Sequence, residues 1–175
     1  MINWVALDEL CTFNRGTTIT AQNAVHGSIP VVSGGQKPAY YHNVSNREAD
    51  CITIAGSGAY AGYVSYWDKP IFCADSFTVD SNDKNILLPK YLYYWLCKEQ
   101  KTIYNKKKGA GIAHVHGADI AKMKIPVPHI AEQHRIVSIL DKFDMICNNL
   151  CEGLPAEIDL MTKKYEYYRD LLLSF

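Results

Sequence analysis

The sequence predicts an α+β protein: a globular, mixed, β-rich domain followed by a long C-terminal helix of the coiled-coil-forming kind. Three observations carry this. The first half is made of short β-branched and aromatic runs cut by glycine and proline, the middle takes a helical period behind a proline, and apolar side chains after Pro128 recur at heptad spacing. With 175 residues, 48% of them hydrophobic, the chain has the material for one domain with an appendage, and intrinsic disorder is excluded.

The runs Ile29–Ser33, before Gly34 and Gly35, and Cys51–Ala55, before Gly56, read as strands, as do Gly62–Tyr66 and Ser76–Val79. Pro89 suits a first helical position, and Leu92, Trp95, Leu96 and Ile103 behind it fall on one face of a helix that ends near Thr102 to Tyr104. A Lys- and Gly-rich loop, Asn105 to Gly111, leads into Ile112–His116. The run Lys124–Pro128 then has prolines that exclude a helix interior.

These elements define a domain over residues 1–128 and a helical region over 129–175. In the second, Ile136, Leu140, Phe143, Cys147, Leu150, Leu154, Ile158, Met161, Tyr165, Tyr168 and Leu172 form a seam with one stutter between Leu154 and Ile158. Gly153 and Pro155 sit beside the stutter and predict a kink or break at 153–155. A helix from Glu132 to Leu172 would span roughly 60 Å, more than a small domain covers. The stripe is therefore expected to pack on another long helix, of this chain or of a second copy; the simpler alternative is a C-terminal helix folded back on its own domain.

Basic and acidic side chains number 18 each, which argues against a binder that holds polyanions by bulk charge. The balance is uneven along the chain. Residues 1–128 hold 13 Lys and Arg against 10 Asp and Glu, and residues 129–175 hold 5 against 8. Seven lysines fall between Lys98 and Lys124, against only Glu99 and Asp119. The first residues carry Asp8 and Glu9 in place of a basic stretch, and no apolar run is long enough for a membrane, so a cytoplasmic protein without a signal peptide is expected. The six cysteines (Cys11, Cys51, Cys73, Cys97, Cys147, Cys151) lack CxxC spacing and read as small buried hydrophobes.

Catalytic patterns fail on detail. Gly56–Gly62 follows a strand but no Gly-Lys-Ser/Thr follows it, and Tyr63–Trp67 reads as another strand where a phosphate loop needs a helix N-terminus. A tight turn that lets a backbone approach closely is the better reading. His114 and His116 share one face of a strand, but no carboxylate or thiolate lies near them in sequence, so no metal site is assigned. Glu99-Gln100-Lys101 has the form of a nuclease motif without its acidic partner, and no Gly-x-Ser-x-Gly elbow is present. No catalytic residue is assigned.

Binding chemistry remains. Lys106, Lys107 and Lys108, flanked by Lys98, Lys101, Lys122 and Lys124, give a local positive field suited to phosphates. Gln36, Tyr60, Asn105, His114 and His116 offer hydrogen bonds and stacking faces from loops.

Four stretches together resemble a known family. They are Trp4–Leu10, Asp50–Ile54 with Gly58–Val64, the run Ile125–Asp141 with its prolines, Glu132-Gln133 and Ile139-Leu140-Asp141, and the tail Lys163–Leu172. The third is the most specific. The chain is similar to one half of a specificity (S) subunit of type I restriction–modification systems, with His129 where the family usually has a second proline, and with one recognition domain where members commonly carry two.

The resemblance implies a DNA target recognition domain at 1–128 and a conserved helical region at 129–175 that serves dimerisation and methyltransferase docking. It implies a subunit that does no chemistry and holds no cofactor. Partners would be double-stranded DNA, modification subunits that bind S-adenosylmethionine and methylate adenine, and a restriction subunit. A half-size chain would rebuild the full architecture as a homodimer through the helical seam and read a palindromic, interrupted target; a fragment that lends its recognition domain to a full-length partner is the alternative. For DNA contact the candidates are Gln36, Tyr60, Asn105, His114 and His116 on bases, with Lys106, Lys107 and Lys108 on phosphates. Two competing readings stay open: a protein–protein adaptor with a coiled-coil helix, and a small enzyme with a metal at His114 and His116.

Overall fold

The run Cys51–Ala55 is apolar or small at nearly every position and is buried at every position, as the middle strand of a sheet covered on both faces must be. A computed structural model of the chain describes residues 2–109, 111–149 and 155–175. Its elements are β1 (Asn3–Ala6), α1 (Leu7–Leu10), β2 (Cys11–Arg15), β3 (Ile29–Val32), β4 (Tyr40–His42), β5 (Cys51–Ala55), β6 (Val64–Trp67), β7 (Phe72–Cys73) and β8 (Ser76–Ser81). Then come α2 (Pro89–Lys98), α3 (Gln100–Tyr104), α4 (Gly117–Ala121), β9 (Lys124–Val127), α5 (Ile130–Asn149) and α6 (Pro155–Leu172).

The α+β class holds, and the four expected strands form. The largest sheet is antiparallel in the order β2-β8-β5-β6; a smaller one runs β4-β3-β7, with β3 and β7 parallel. Val32, Cys51, Ile71 and Cys73, with Trp67, pack into a small core between the two. The main core lies on α2, which opens at Pro89 as expected and buries Tyr91, Leu92, Tyr94, Trp95 and Leu96, with Ile103 of α3 beside them. β1 pairs with β9 from Asn3↔Val127 to Ala6↔Lys124, so the proline-bearing run closes the chain onto its start.

The thiols pack as small hydrophobes: Cys11, Cys51 and Cys73 are buried, and Cys97 and Cys147 half-buried. Burial pushes the Cys11 and Cys51 thiols up to about 12 and that of Cys73 to about 11. Cys151 lies outside the described residues.

The stripe from Glu132 to Leu172 is carried by two helices, α5 and α6, rather than by one continuous helix. Phe143 of α5 stacks on Tyr168 of α6 at 5.2 Å between ring centroids, whereas a continuous helix would hold them roughly 37 Å apart. The second helix therefore folds back along the first and over α2, and Leu173 after its end joins Ile136 and Leu140 in the main core. Most of the described part of the predicted seam thus faces its own domain, Tyr168 being 41% exposed. Ile136 and Leu140 are fully buried, Tyr165 and Leu172 pack against the core, and Phe143, Cys147 and Met161 are half-buried. Leu150, Leu154 and the side chain of Ile158 lie outside the described residues, as does the predicted break at 153–155 up to Pro155, which opens α6. A stripe with a stutter can cover a core in two short helices as well as a partner in one long helix. Burial of Ile136 and Leu140 contributes about 3–6 kcal/mol toward the first arrangement.

Polar groups lock α5 onto the domain. Gln133 is fully buried; its Oε1 accepts the Leu88 N–H at 2.9 Å, and its Nε2 donates to the carbonyls of Ile86 at 2.7 Å and Pro128 at 3.0 Å. Leu88 precedes α2, so this amide ties the starts of two helices together. Asp141 accepts from Lys90 Nζ at 2.8 Å and from the Tyr94 hydroxyl at 2.5 Å, and burial together with that carboxylate pushes the Tyr94 hydroxyl above its ordinary range. No helix among the described residues is long and apolar enough to cross a membrane.

Candidate nucleic-acid interface

The site is assembled by backbone. The segment from Gly56 to Gly62 leaves β5 and turns into β6, with Gly62 at φ +86°. A side chain at Gly62 would also come within 3.1 Å of Ile103 and 3.3 Å of Val115, so glycine is required both for its left-handed conformation and for space. Residues 113–115 use that closeness. On one edge Gly58 N–H donates to Ala113 O at 3.0 Å and Val115 N–H to Gly56 O at 3.0 Å. On the other, Lys108 and His114 exchange both backbone bonds, at 2.9 and 2.8 Å. A third loop lies close: a Cβ at Gly34 would sit 2.6 Å from Ser57 O, which places the β3–β4 loop, the carrier of Gln36, against the glycine turn.

Three loops far apart in sequence therefore meet around His114. Gln36, Asn105, His114 and His116 are exposed, and Tyr60 is 46% exposed on the glycine turn. The two imidazoles lie parallel within 7°, with 6.3 Å between centroids. The three lysines are not equivalent. Lys108 donates to both oxygens of Asp119 at 2.9 and 2.7 Å, and that hydrogen bond holds the Asp119 carboxyl below its ordinary range. Lys107 lies over the Tyr104 ring at 4.3 Å, and Lys106 is half-buried. Of the flanking lysines, Lys98 is drawn away to the C-terminal segment, donating to Leu173 O at 3.2 Å. Lys101, Lys122 and Lys124 are exposed on α3, at the end of α4 and on β9. No cluster of three or more His, Cys, Asp or Glu placed to hold a metal occurs among the described residues.

Beside His114 and His116 opens a cleft of about 320 Å³ whose other side is formed by Phe13, Arg15, Asp75 and Phe77. Sequence reasoning missed this side because Cys11–Arg15 was not recognised as a strand. The alternation of Phe13 and Arg15 with polar Thr12 and Asn14 is the weak signal that marks it.

A rigid antiparallel scaffold that presents exposed polar loops, carried on a helical support, defines a recognition module. The chain belongs to the type I restriction modification DNA specificity domain family, whose family model matches residues 1–160. It is 38% identical over 168 residues to a Haemophilus influenzae protein that bears the name of a type I restriction enzyme specificity subunit, covering 88% of this chain and 43% of that one. It is 50% identical over 94 residues to the EcoR124I/EcoR124II specificity subunit of Escherichia coli, covering 53% of this chain and 23% of that protein. Among solved structures, the type I restriction–modification S subunit from M. genitalium superposes with a TM-score of 0.76 at 27% identity, over 86% of this chain and 41% of that one. The chain thus spans less than half the length of these relatives.

Proposed function

We propose that the chain is the DNA-reading specificity subunit of a type I restriction–modification complex, recognising one half of a bipartite double-stranded target and positioning adenine methyltransferase subunits. The observation that carries this is the assembly of the Gln36, Tyr60 and Lys106–His116 loops around one backbone-bonded segment, with their polar side chains turned outward. Residues 1–128 read DNA and 129–175 form the support. The chain does no chemistry and holds no cofactor; S-adenosylmethionine belongs to the modification subunit, a restriction subunit joins the same complex, and the assembly works in the cytoplasm.

In this reading two copies pair through the helical region and read identical, inverted half-sites. The surface open to a second copy is what the fold-back leaves uncovered, chiefly Met145 and Ile146 of α5 with Leu160, Tyr167, Tyr168 and Leu171 of α6, each at least 40% exposed. Of the predicted seam, Ile136, Leu140, Tyr165 and Leu172 are spent on the domain's own core, and Tyr168 belongs to the uncovered surface. Methylation mapping of DNA incubated with the chain and its methyltransferase subunit is expected to return an interrupted palindrome. A target without dyad symmetry removes the homodimer, and mass determination in solution checks the same point. Absence of any sequence-dependent retention of DNA removes the recognition role.

A further inference from the structure

One wall of the 320 Å³ cleft comes from the four-stranded sheet. Arg15 pairs with Phe77 across β2 and β8, and Phe13 lies two residues before it on β2, so the three side chains share one face of the sheet. His114 and His116 line the same cleft. The Arg15 guanidinium is exposed and makes no hydrogen bond or ion pair with the described residues. A carboxylate lines the same cleft, but the oxygens of Asp75 accept from the hydroxyls of Ser33 at 3.0 Å and Thr18 at 3.5 Å.

The other arginines are all engaged. Arg47 donates to Thr78 and to the carbonyls of Asn46 and Arg15, Arg135 pairs with Glu132, and Arg169 with Asp170. The bond from Arg47 to the Arg15 carbonyl, at 2.9 Å, also pins the backbone from which the free guanidinium projects. A planar fork of five donors is thus held on a rigid strand, beside two phenyl rings, with no acceptor of its own.

We propose that Arg15 is a specificity-determining residue that reads a guanine in the target half-site, donating two parallel N–H bonds to the base's O6 and N7 in the major groove. This rests on the reading of the chain as a DNA-recognition subunit. Guanine presents two adjacent acceptors on its major-groove edge, the pattern that a guanidinium matches, and adenine, cytosine and thymine do not. A phosphate contact would need only an exposed cation, which the 106–108 loop already supplies. Arg15 is instead set into a cleft with an apolar wall, where a base edge fits better than a fully solvated phosphate.

The test is selection of bound duplexes from a randomised pool by the full chain, its Arg15→Ala and Arg15→Lys variants, with binding measured against salt. The wild type is expected to select a guanine at one position of the half-site. Arg15→Ala should relax that position alone, by about tenfold to a hundredfold, with Arg15→Lys in between and the salt slope unchanged. Retention of every base preference by Arg15→Ala overturns the proposal. So does a uniform loss of affinity with a salt slope shallower by about one, which marks a phosphate contact. Failure of the wild type to select any sequence defeats the DNA reading beneath it, an outcome separate from both. Arg15 is exposed, and circular dichroism of each variant confirms that the comparison is between folded proteins.

Discussion

In α5 the polar side chains that face the domain have fixed internal partners: Gln133 satisfies three backbone groups, and Asp141 takes both Lys90 and Tyr94. Around His114 the balance differs. Gln36, Tyr60, Asn105, His114 and His116 make no side-chain hydrogen bond with the described residues; that region is bonded in by its backbone and by Lys108 on Asp119. The run Ile125–Asp141 carries the recognisable signature, and Ile125, Gln133, Ile136, Leu140 and Asp141 in it each answer to neighbours in the same fold. Gln36 and the 105–116 loop lie in none of the four resembling stretches, and the side chains of Gln36, Asn105, His114 and His116 are exposed. A readable motif here marks the joint between domain and helices, while the surface proposed to read DNA has to be found by geometry.

That contrast is broken most directly by removing packing on the helical side. Leu140→Ala is expected to lower unfolding stability by about 2–5 kcal/mol in urea titration. It should leave the DNA sequence preference of the folded fraction intact; a changed preference would show that the helices take part in reading. Gln133→Leu comes next, since it leaves the Leu88 N–H and two carbonyls unpartnered, at a cost of about 1–3 kcal/mol.

Gly62→Ala lies between the two regions. Its left-handed φ and the contacts to Ile103 and Val115 should cost about 1–3 kcal/mol and, unlike the helical substitutions, should also weaken DNA binding because the 113–115 segment is displaced.

On the loop side the effects fall on binding rather than stability. Replacing Lys106 and Lys107 together by Ala should make the salt dependence of DNA affinity shallower by about two, uniformly across sequences, with the unfolding midpoint unchanged. Lys108→Ala should do less than either, because Asp119 already holds its charge. The smallest effect follows pH. The Asp119 carboxyl is lowered by its hydrogen bond from Lys108, so what the pair contributes is fully present above the ordinary value of 3.8 and is lost as pH falls through the depressed one. Carbon-detected NMR titration of Asp119 should give a midpoint below 3.8, and in Lys108→Ala the midpoint should return toward it.

Much of the architecture was legible in the residues. Largely apolar runs marked β3 and β5, alternation marked β8, Pro89 marked the start of α2, and the prolines after Lys124 excluded a helix where β9 forms. These features are local: each depends on backbone preference or on the period of burial along a few residues. Short β2 and β7 escaped, β2 because its alternation runs over only five residues and β7 because two residues have no period to read. The helical seam was visible as a period, and its stutter beside Gly153 and Pro155 was visible too. Period specifies which face is buried and not what buries it, so the sequence reading favoured another long helix as the partner, whereas the home domain covers the described part of the stripe.

By itself, then, the sequence determined the class, most of the elements and the glycine turn. Only the tertiary structure decided that α6 returns along α5, that loops from Gly34, Gly56 and Lys108 close around His114, and that Arg15 lines the cleft beside them without a partner among the described residues. Those outcomes depend on pairings between residues dozens of positions apart. Such pairings are selected by the fit of the whole core rather than by any preference of the residues that make them.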